Sequence, residues 1–442
     1  MLTLVYGYGV SGKSAVNLLL KLERQVAVFA DEQVKVQKGV INRSGMSIDD
    51  ALEDVGLVCI SPSVELDCEL LKEARLRNIE IISELELGYR NTQGDIIAIT
   101  GTNGKTTCTE LITAMLKNAQ INADYYGNIG VPFAENSLDI TQDKVAVLEV
   151  SSFQLATTEL FCPKIAICLN ISDDHLEYHK SIQNYIKCKL NIFKNQDKNE
   201  YAVVNFDDEI LKSATKDIKS DIYYFSLNSK VKGSYLQGKS IYFFSEKEEY
   251  ICDIDDINIK GEHNVANCLA CITACKILNM PNNVIVGTLK QFELSSHRVQ
   301  LVRTLNGVKY FDDSKSTNIS STISACKAMI GKTVLIVGGY DKGLDYHKMF
   351  AELPIKVTTV ICFGDNKDKI IQDSEKSYCT SVIRAESLED AIEISHKIKC
   401  DNVLFSPATS SFDRFANYAE RGNFFKEYVM GFKNWLNLRK LI

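Results

Sequence analysis

Ile96-Ile97-Ala98-Ile99-Thr100-Gly101-Thr102-Asn103-Gly104-Lys105-Thr106-Thr107 decides the reading of this chain. An apolar run of strand length ends in a Gly-rich turn, and a helix-compatible segment follows from Thr106 to about Lys117. Such a turn aims backbone N–H groups at a phosphate from a helix N-terminus. The Gly-x-x-Gly-Lys-Thr spacing is two residues shorter than the usual Walker pattern, but a Lys-Thr-Thr helix opening is hard to explain by packing alone. Downstream, the apolar strand Val145–Val150 carries Glu149 near its C-terminal end. An acid there can face Mg²⁺ held by Thr106, with Lys105 on the β- and γ-phosphates. This loop is therefore assigned to ATP.

A second Gly-rich turn, Gly7-Tyr8-Gly9-Val10-Ser11-Gly12-Lys13-Ser14, follows the strand Leu2–Tyr6. It matches both G-x-G-x-x-G and, formally, G-x-x-x-x-G-K-S. The next strand, Gln25–Ala30, ends in Asp31, where a dinucleotide-type unit puts the acid that meets a ribose. The loop is assigned to the diphosphate of another nucleotide. A third segment repeats the rhythm with strands at Val308–Asp312, Thr333–Gly338, Thr358–Gly364 and Val403–Ser406. Strands alternating with helical patterns imply parallel sheets covered on both faces, an α/β fold. Boundaries fall in the polar stretches 91–94 and 294–296, giving three expected domains over 1–92, 93–295 and 296–442. The tyrosine-rich, alternating stretch 197–260 is read as a small β-rich insertion in the middle one.

The chain has 442 residues, 45% of them hydrophobic and 24% charged, with a net charge of −7. This balance argues against a general nucleic-acid coat or a polybasic membrane binder. No run reaches the length of a membrane span, and Met1–Leu22 lacks the charge and apolar core of a secretory signal. The fourteen cysteines are scattered through apolar runs and read as reduced core thiols of a cytoplasmic protein. Cys268, Cys271 and Cys275 share a helical stripe; with no second pair, core packing outweighs zinc.

Ile182–Phe193 has helical spacing, and Lys189 falls on its apolar stripe. It is either a snorkelling side chain or a functional lysine whose pKa burial has lowered. Once neutral, such an amine could react with CO₂ to give a carbamate, an oxygen ligand for Mg²⁺. Upstream, Asp174-His175 follows a strand and is a candidate second Mg²⁺ contact, whereas His179 reads as a surface or capping histidine. Asn264 and Asn267 stand at a helix start, where amides can cap the helix or read a base edge.

Together these segments resemble the Mur ligase family. The resemblance runs through Gly101–Thr107, Gly127–Pro132, Glu149–Leu155, Asp174-His175, Tyr185 to Lys189, Gly261–Asn267 and Ser296–Arg298. It continues in Asp313–Asn318, Gly338–Gly343 and Phe405–Asp413, in order along nearly the whole chain. The Asp313-Ser314-Lys315-Ser316-Thr317-Asn318 stretch looks like the branch that adds D-glutamate to UDP-N-acetylmuramoyl-L-alanine.

The resemblance implies a Rossmann-like N-terminal domain, a P-loop-type central ATPase domain and a Rossmann-like C-terminal domain. It implies a monomeric ATP-dependent amide ligase of peptidoglycan precursor synthesis, with two Mg²⁺ and no nucleic-acid or membrane partner. Its catalytic residues would be Lys105, Glu149, His175 and Lys189. ATP would meet Gly101, Thr102, Asn103, Gly104, Lys105, Thr106, Thr107, Asn264, Asn267, Arg298 and Asp313. The metals would meet Thr106, Glu149, His175 and a carbamylated Lys189. The UDP-sugar would meet Ser11, Asp31, Asn128 and His175, and D-glutamate Lys315, Thr317, Lys342, Ser411, Phe412 and Tyr418. The chain departs from the family at Glu32-Gln33, where a Thr-Arg-like pair is expected, at Ser63 for glycine and at Tyr418 for phenylalanine.

Overall fold

The computed structural model describes residues 2–172, 174, 176–259, 261–294, 296–375 and 381–432. They form an α/β protein in two compact units, Met1–Ile259 with His263–Phe292, and Lys260–Glu262 with Glu293–Ile442. The first unit contains two sheets and the second unit one.

The N-terminal sheet comprises β1 (Leu2–Tyr6), β2 (Val26–Phe29), β3 (Ile41–Asn42), β4 (Val55–Ile60) and β5 (Glu80–Ser83). Its order is β3-β2-β1-β4-β5, and every pairing is parallel. Side chains of a strand alternate between faces, so both faces need apolar cover. On β1, Leu2, Leu4 and Tyr6 enter one core while Val5 enters the other, beside Ala15, Val16 and Leu19 of helix Val10–Lys21. That helix starts hard against its own turn: a Cβ at Gly12 would stand 1.9 Å from the Gly7 carbonyl oxygen.

The central sheet contains β6 (Ile96–Thr100), β7 (Ala123–Gly127), β8 (Val145–Glu149), β9 (Ile165–Cys168), β10 (Tyr201–Asn205), β11 (Asp221–Ser226), β12 (Gly233–Gln237), β13 (Ser240–Phe244) and β14 (Glu248–Asp253). Its order is β14-β13-β12-β11-β10-β9-β6-β8-β7. The stretch read as a β-rich part of the middle segment does carry strands, β10 to β14. Its strands extend the central sheet, in parallel through β10, β11 and β12 and then as the antiparallel ribbon β12-β13-β14. Strand β6 lies between β8 and β9, so the Gly101 turn emerges where the chain order reverses, at the carboxyl ends of three strands. Open parallel sheets bind ligands at such a point.

The two sheets of this unit are tied by polar contacts. Glu84 Oε1 accepts the Ala134 N–H at 2.6 Å and the Ser14 hydroxyl at 3.2 Å. Asn17 donates to Glu135 at 3.0 Å, and Tyr178 donates to the Val64 carbonyl at 2.9 Å.

The second unit holds β15 (Gln300–Leu305), β16 (Val308–Asp312), β17 (Thr333–Gly339), β18 (Val357–Gly364), β19 (Ser381–Arg384) and β20 (Asn402–Phe405), in the order β15-β16-β20-β17-β18-β19. Only the β15-β16 pairing is antiparallel. On β17, Val334 and Ile336 face one core and Leu335 and Val337 the other.

Candidate active site

Gly104, with φ +88°, is the N-cap of helix Lys105–Asn118 and supplies no side-chain acceptor to its first turn, an arrangement suited to an anion. Only glycine fits there: an added Cβ would lie 2.3 Å from Asn267 Oδ1. Asn170, two residues past β9, holds the loop, accepting the Asn103 N–H at 2.8 Å and donating to the Asn103 carbonyl at 3.0 Å. Thr102 bridges Ser172 N–H (3.0 Å) and the Tyr185 hydroxyl (3.1 Å). Lys105 Nζ curls back over the loop, donating to the carbonyls of Gly101 and Thr102, each at 2.8 Å.

Glu149 reaches this loop from β8. The Thr106 hydroxyl donates to its Oε2 at 2.8 Å, and Asn128 Nδ2 donates to Oε1 at 2.9 Å. Thr106 and Glu149 are both buried, whereas Asn128 is exposed. The Asn128 N–H also bonds the Glu149 carbonyl, at 2.9 Å. The set offers a hydroxyl, a carboxylate and an amide, all oxygen donors of the kind Mg²⁺ takes.

Lys189, on helix Ile182–Leu190, is 2% exposed, and its Nζ donates to the Gly101 carbonyl at 2.8 Å. It also lies over the Tyr185 ring, 4.7 Å from its centroid. Burial first, and then the Lys105 charge, push its pKa down from 10.5 to about 7. Of the two sequence readings, snorkelling is therefore excluded. His179 is a correction: it is not a surface group but is buried, with Nε2 2.9 Å from Ser152 Oγ and Tyr178, Phe153 and Tyr185 around its ring. Ser152 belongs to the short helix Ser152–Leu155, which is capped by Ser151, and Lys180 after His179 has φ +63°. His175 lies outside the described residues.

Asn264 and Asn267 are buried on helix Glu262–Ile277, with Asn267 against the Gly104 turn. Cys268, Cys271 and Cys275 are fully buried below them. Cys271 approaches the Cys108 carbonyl at 3.7 Å and Cys275 the Met115 sulfur at 3.5 Å, so these thiols pack one helix on the other.

In the N-terminal loop, Ser11 is half-buried on helix Val10–Lys21 and Asp31 is exposed beyond β2, held by the Tyr6 hydroxyl at 2.9 Å. Lys13 is exposed and lies 5.5 Å from the ring centroid of Tyr8 in the same turn.

In the second unit, Asp313 is buried, accepts from Ser406 at 2.7 Å and Val299 N–H at 3.2 Å, and is pushed up to about 6 by burial. Arg298 is half-buried. Lys315 lies over the Tyr418 ring at 5.4 Å, and Lys342 donates to the Thr317 carbonyl at 3.4 Å. Ser411 is buried and its neighbour Phe412 exposed.

Several groups escaped sequence reasoning. Asn170 had a signal, a polar residue ending the apolar run Ile165–Leu169. Glu84 and Glu86 are buried carboxylates with no local signal. Glu86 accepts the N–H groups of Glu159, Leu160 and Phe161 at 3.1, 3.0 and 3.0 Å.

Residues 99–275 match the Mur ligase middle domain, and residues 297–409 match the Mur ligase, glutamate ligase domain. The chain is 38% identical to the UDP-N-acetylmuramoylalanine--D-glutamate ligase of Thermoanaerobacter sp. (strain X514), over 96% of this chain and 97% of that protein. It is 36% identical to the protein of the same name from Lachnoclostridium phytofermentans, over 98% of each. Among solved structures, a pseudomurein peptide ligase type C from Methanothermus fervidus aligns with TM-score 0.62 and 18% identity, over 98% of this chain and 100% of that one. MurF ligase from Thermotoga maritima in complex with ADP aligns with TM-score 0.60 and 17% identity, over 97% and 95%. Both domain matches and these near full-length identities lead to one conclusion: the chain belongs to the Mur ligase family.

Proposed function

We propose that this chain is an ATP-dependent ligase that joins D-glutamate to UDP-N-acetylmuramoyl-L-alanine in cytoplasmic synthesis of peptidoglycan precursors, and so serves cell-wall biogenesis, cell shape and division. The observation that carries this reading is the bonded set Gly101, Lys105, Thr106, Glu149 and Lys189. It lies in a chain 36–38% identical to ligases named for that reaction.

A carboxylate is a poor electrophile. In the proposed sequence its oxygen attacks the γ-phosphorus of ATP, ADP leaves, and an acyl phosphate forms. The D-glutamate amine then attacks the acyl carbon, and the tetrahedral intermediate expels phosphate to leave the amide. The loop Gly101–Thr107 cradles the phosphates, and Lys105 offsets charge on the transferring phosphoryl oxygens, which is most of what such a transfer needs. Asn264, Asn267, Arg298 and Asp313 are proposed for ATP, and Ser11, Asp31 and Asn128 for the UDP-sugar. Lys315, Thr317, Lys342, Ser411, Phe412 and Tyr418 are proposed for D-glutamate. The two lysine ammoniums and the hydroxyls suit its two carboxylates.

Thr106 and Glu149 would hold one Mg²⁺, and His175 with a carbamylated Lys189 a second. The ions would supply Lewis-acid stabilisation of phosphoryl charge. The neutral form of the Lys189 amine, which burial favours, can attack CO₂, forming an N–C bond and releasing one proton, and so turns a nitrogen donor into an oxygen donor. The three sheets suggest a nucleotide-sugar domain of Rossmann type over 1–92, a P-loop-type ATPase domain over 93–295 and a Rossmann-like amino-acid domain over 296–442. We take the working form as a monomer.

The test is incubation with UDP-N-acetylmuramoyl-L-alanine, ATP, Mg²⁺ and either D- or L-glutamate, with product read by mass. Amide product with the D-isomer is expected; product only with another amine acceptor would overturn the assignment.

A further inference from the structure

Arg421, on helix Tyr418–Gly431, is fully buried although it is the largest cationic side chain a protein can bury. A buried guanidinium is costly unless its donors are satisfied. Its two terminal nitrogens donate to main-chain carbonyls of two loops, Nη1 to Ser410 at 2.9 Å and Nη2 to Thr409 at 2.9 Å and Ser314 at 3.1 Å, while the buried Nε has no hydrogen-bond partner among the described residues. A third loop joins through the same residues. The Thr409 hydroxyl donates to the Tyr340 carbonyl at 2.6 Å, and the Tyr340 N–H donates to the Ser410 carbonyl at 3.1 Å. Gly339 has no room for a side chain here, since a Cβ would stand 2.8 Å from Arg421 Nη1.

We propose that Arg421 is the positioning residue of the D-glutamate pocket, a clamp that sets the loops 313–318, 338–343 and 405–413 in register. This rests on the function proposed above. Its carbonyl acceptors adjoin the groups assigned to D-glutamate: Ser314 precedes Lys315, and Ser410 precedes Ser411. Arg421 itself is three residues after Tyr418, whose ring carries Lys315. The planar fork of arginine fits three carbonyls at once, and a lysine ammonium, a single point on a flexible stem, does not. Loosening the clamp displaces Lys315 and Ser411 together while leaving the nucleotide-sugar groups of the first unit untouched.

The experiment measures KM for D-glutamate and for UDP-N-acetylmuramoyl-L-alanine in wild type, Arg421→Lys and Thr409→Val, with folding checked by circular dichroism. A displacement of about 1 Å at a bound substrate can cost up to about 100-fold, so Arg421→Lys should raise the D-glutamate KM by at least about 10-fold. The UDP-substrate KM should stay within about twofold, as uniform loss of binding would not allow. Thr409→Val keeps the shape and loses only the tie to Tyr340; it decides the matter if Arg421→Lys does not fold, with an expected rise of about threefold. An unchanged D-glutamate KM in a folded variant, or a parallel rise in both KM values, overturns the clamp. Wild-type enzyme that makes no product from D-glutamate overturns the functional reading, and the clamp falls with it.

Discussion

Lys105 and Lys189 place their amines on one carbonyl oxygen: each Nζ lies 2.8 Å from Gly101 O. Two ammoniums converging on one acceptor repel, and one of them is buried, so the buried one gives up its proton more easily. Lys189 is accordingly pushed down to about 7, by burial first and Lys105 second. Lys105 is half-buried and also donates to the Thr102 carbonyl, at 2.8 Å.

Lys189→Ala should therefore lower kcat by at least about 100-fold, the scale of a lost charge-stabilising group. Excess bicarbonate should not restore it, because no amine is left to carbamylate. A steady-state assay with and without bicarbonate checks this, and near-normal turnover would refute the carbamate role.

Thr106→Val removes the hydroxyl that meets Glu149. The Mg²⁺ concentration for half-maximal turnover should rise by about 10-fold or more, and chelation should abolish wild-type activity. A Mg²⁺ titration of phosphate release decides it; coincident curves would remove Thr106 from the metal site.

Gly104→Ala should be destabilising and should weaken nucleotide binding. An alanine at φ +88° pays about 1–2 kcal/mol of backbone strain, and its Cβ would meet Asn267 Oδ1 at 2.3 Å. The expected result is a lower Tm together with a smaller Tm gain on adding ATP. An unchanged ATP-induced shift would count against this turn as the phosphate cradle.

Glu84 gives a pH signature. Burial raises its pKa from 4.5 to about 7. The folded state binds the extra proton between these values, so the stability it contributes is fully present below 4.5 and is lost as pH rises through about 7. The limit is on the order of 3 kcal/mol at 1.36 kcal/mol per pKa unit. Glu84→Gln, neutral at every pH, should gain Tm over wild type as pH rises from 5 to 8, on the order of the linkage slope. A Tm difference that does not change with pH would contradict the burial of an ionising carboxyl there.

What the sequence made legible was local. The run Ile96–Thr100 is wholly buried as expected, its turn leads into the N-terminus of helix Lys105–Asn118, and Glu149 meets Thr106. Periodicity also put Lys189 on an inward face, because helical spacing depends on neighbours only. Partners distant in sequence were invisible. The alternation in 221–253 announced strands but not that they would extend the central sheet, since pairing is set by a strand contributed from elsewhere. His179 read as superficial because its burial depends on Ser152 and an aromatic shell from other segments. Arg421 gave no signal, as its acceptors are main-chain oxygens, which every residue possesses.

The most direct measurement follows oxygen. UDP-N-acetylmuramoyl-L-alanine labelled with ¹⁸O in its alanyl carboxylate is incubated with ATP, Mg²⁺ and D-glutamate, and the released phosphate is analysed by mass. If the γ-phosphoryl group passes onto the carboxylate, each phosphate released carries one carboxylate oxygen, and the label appears in it. Unlabelled phosphate alongside amide product would contradict transfer to the acid and with it the role given to the Gly101–Thr107 loop.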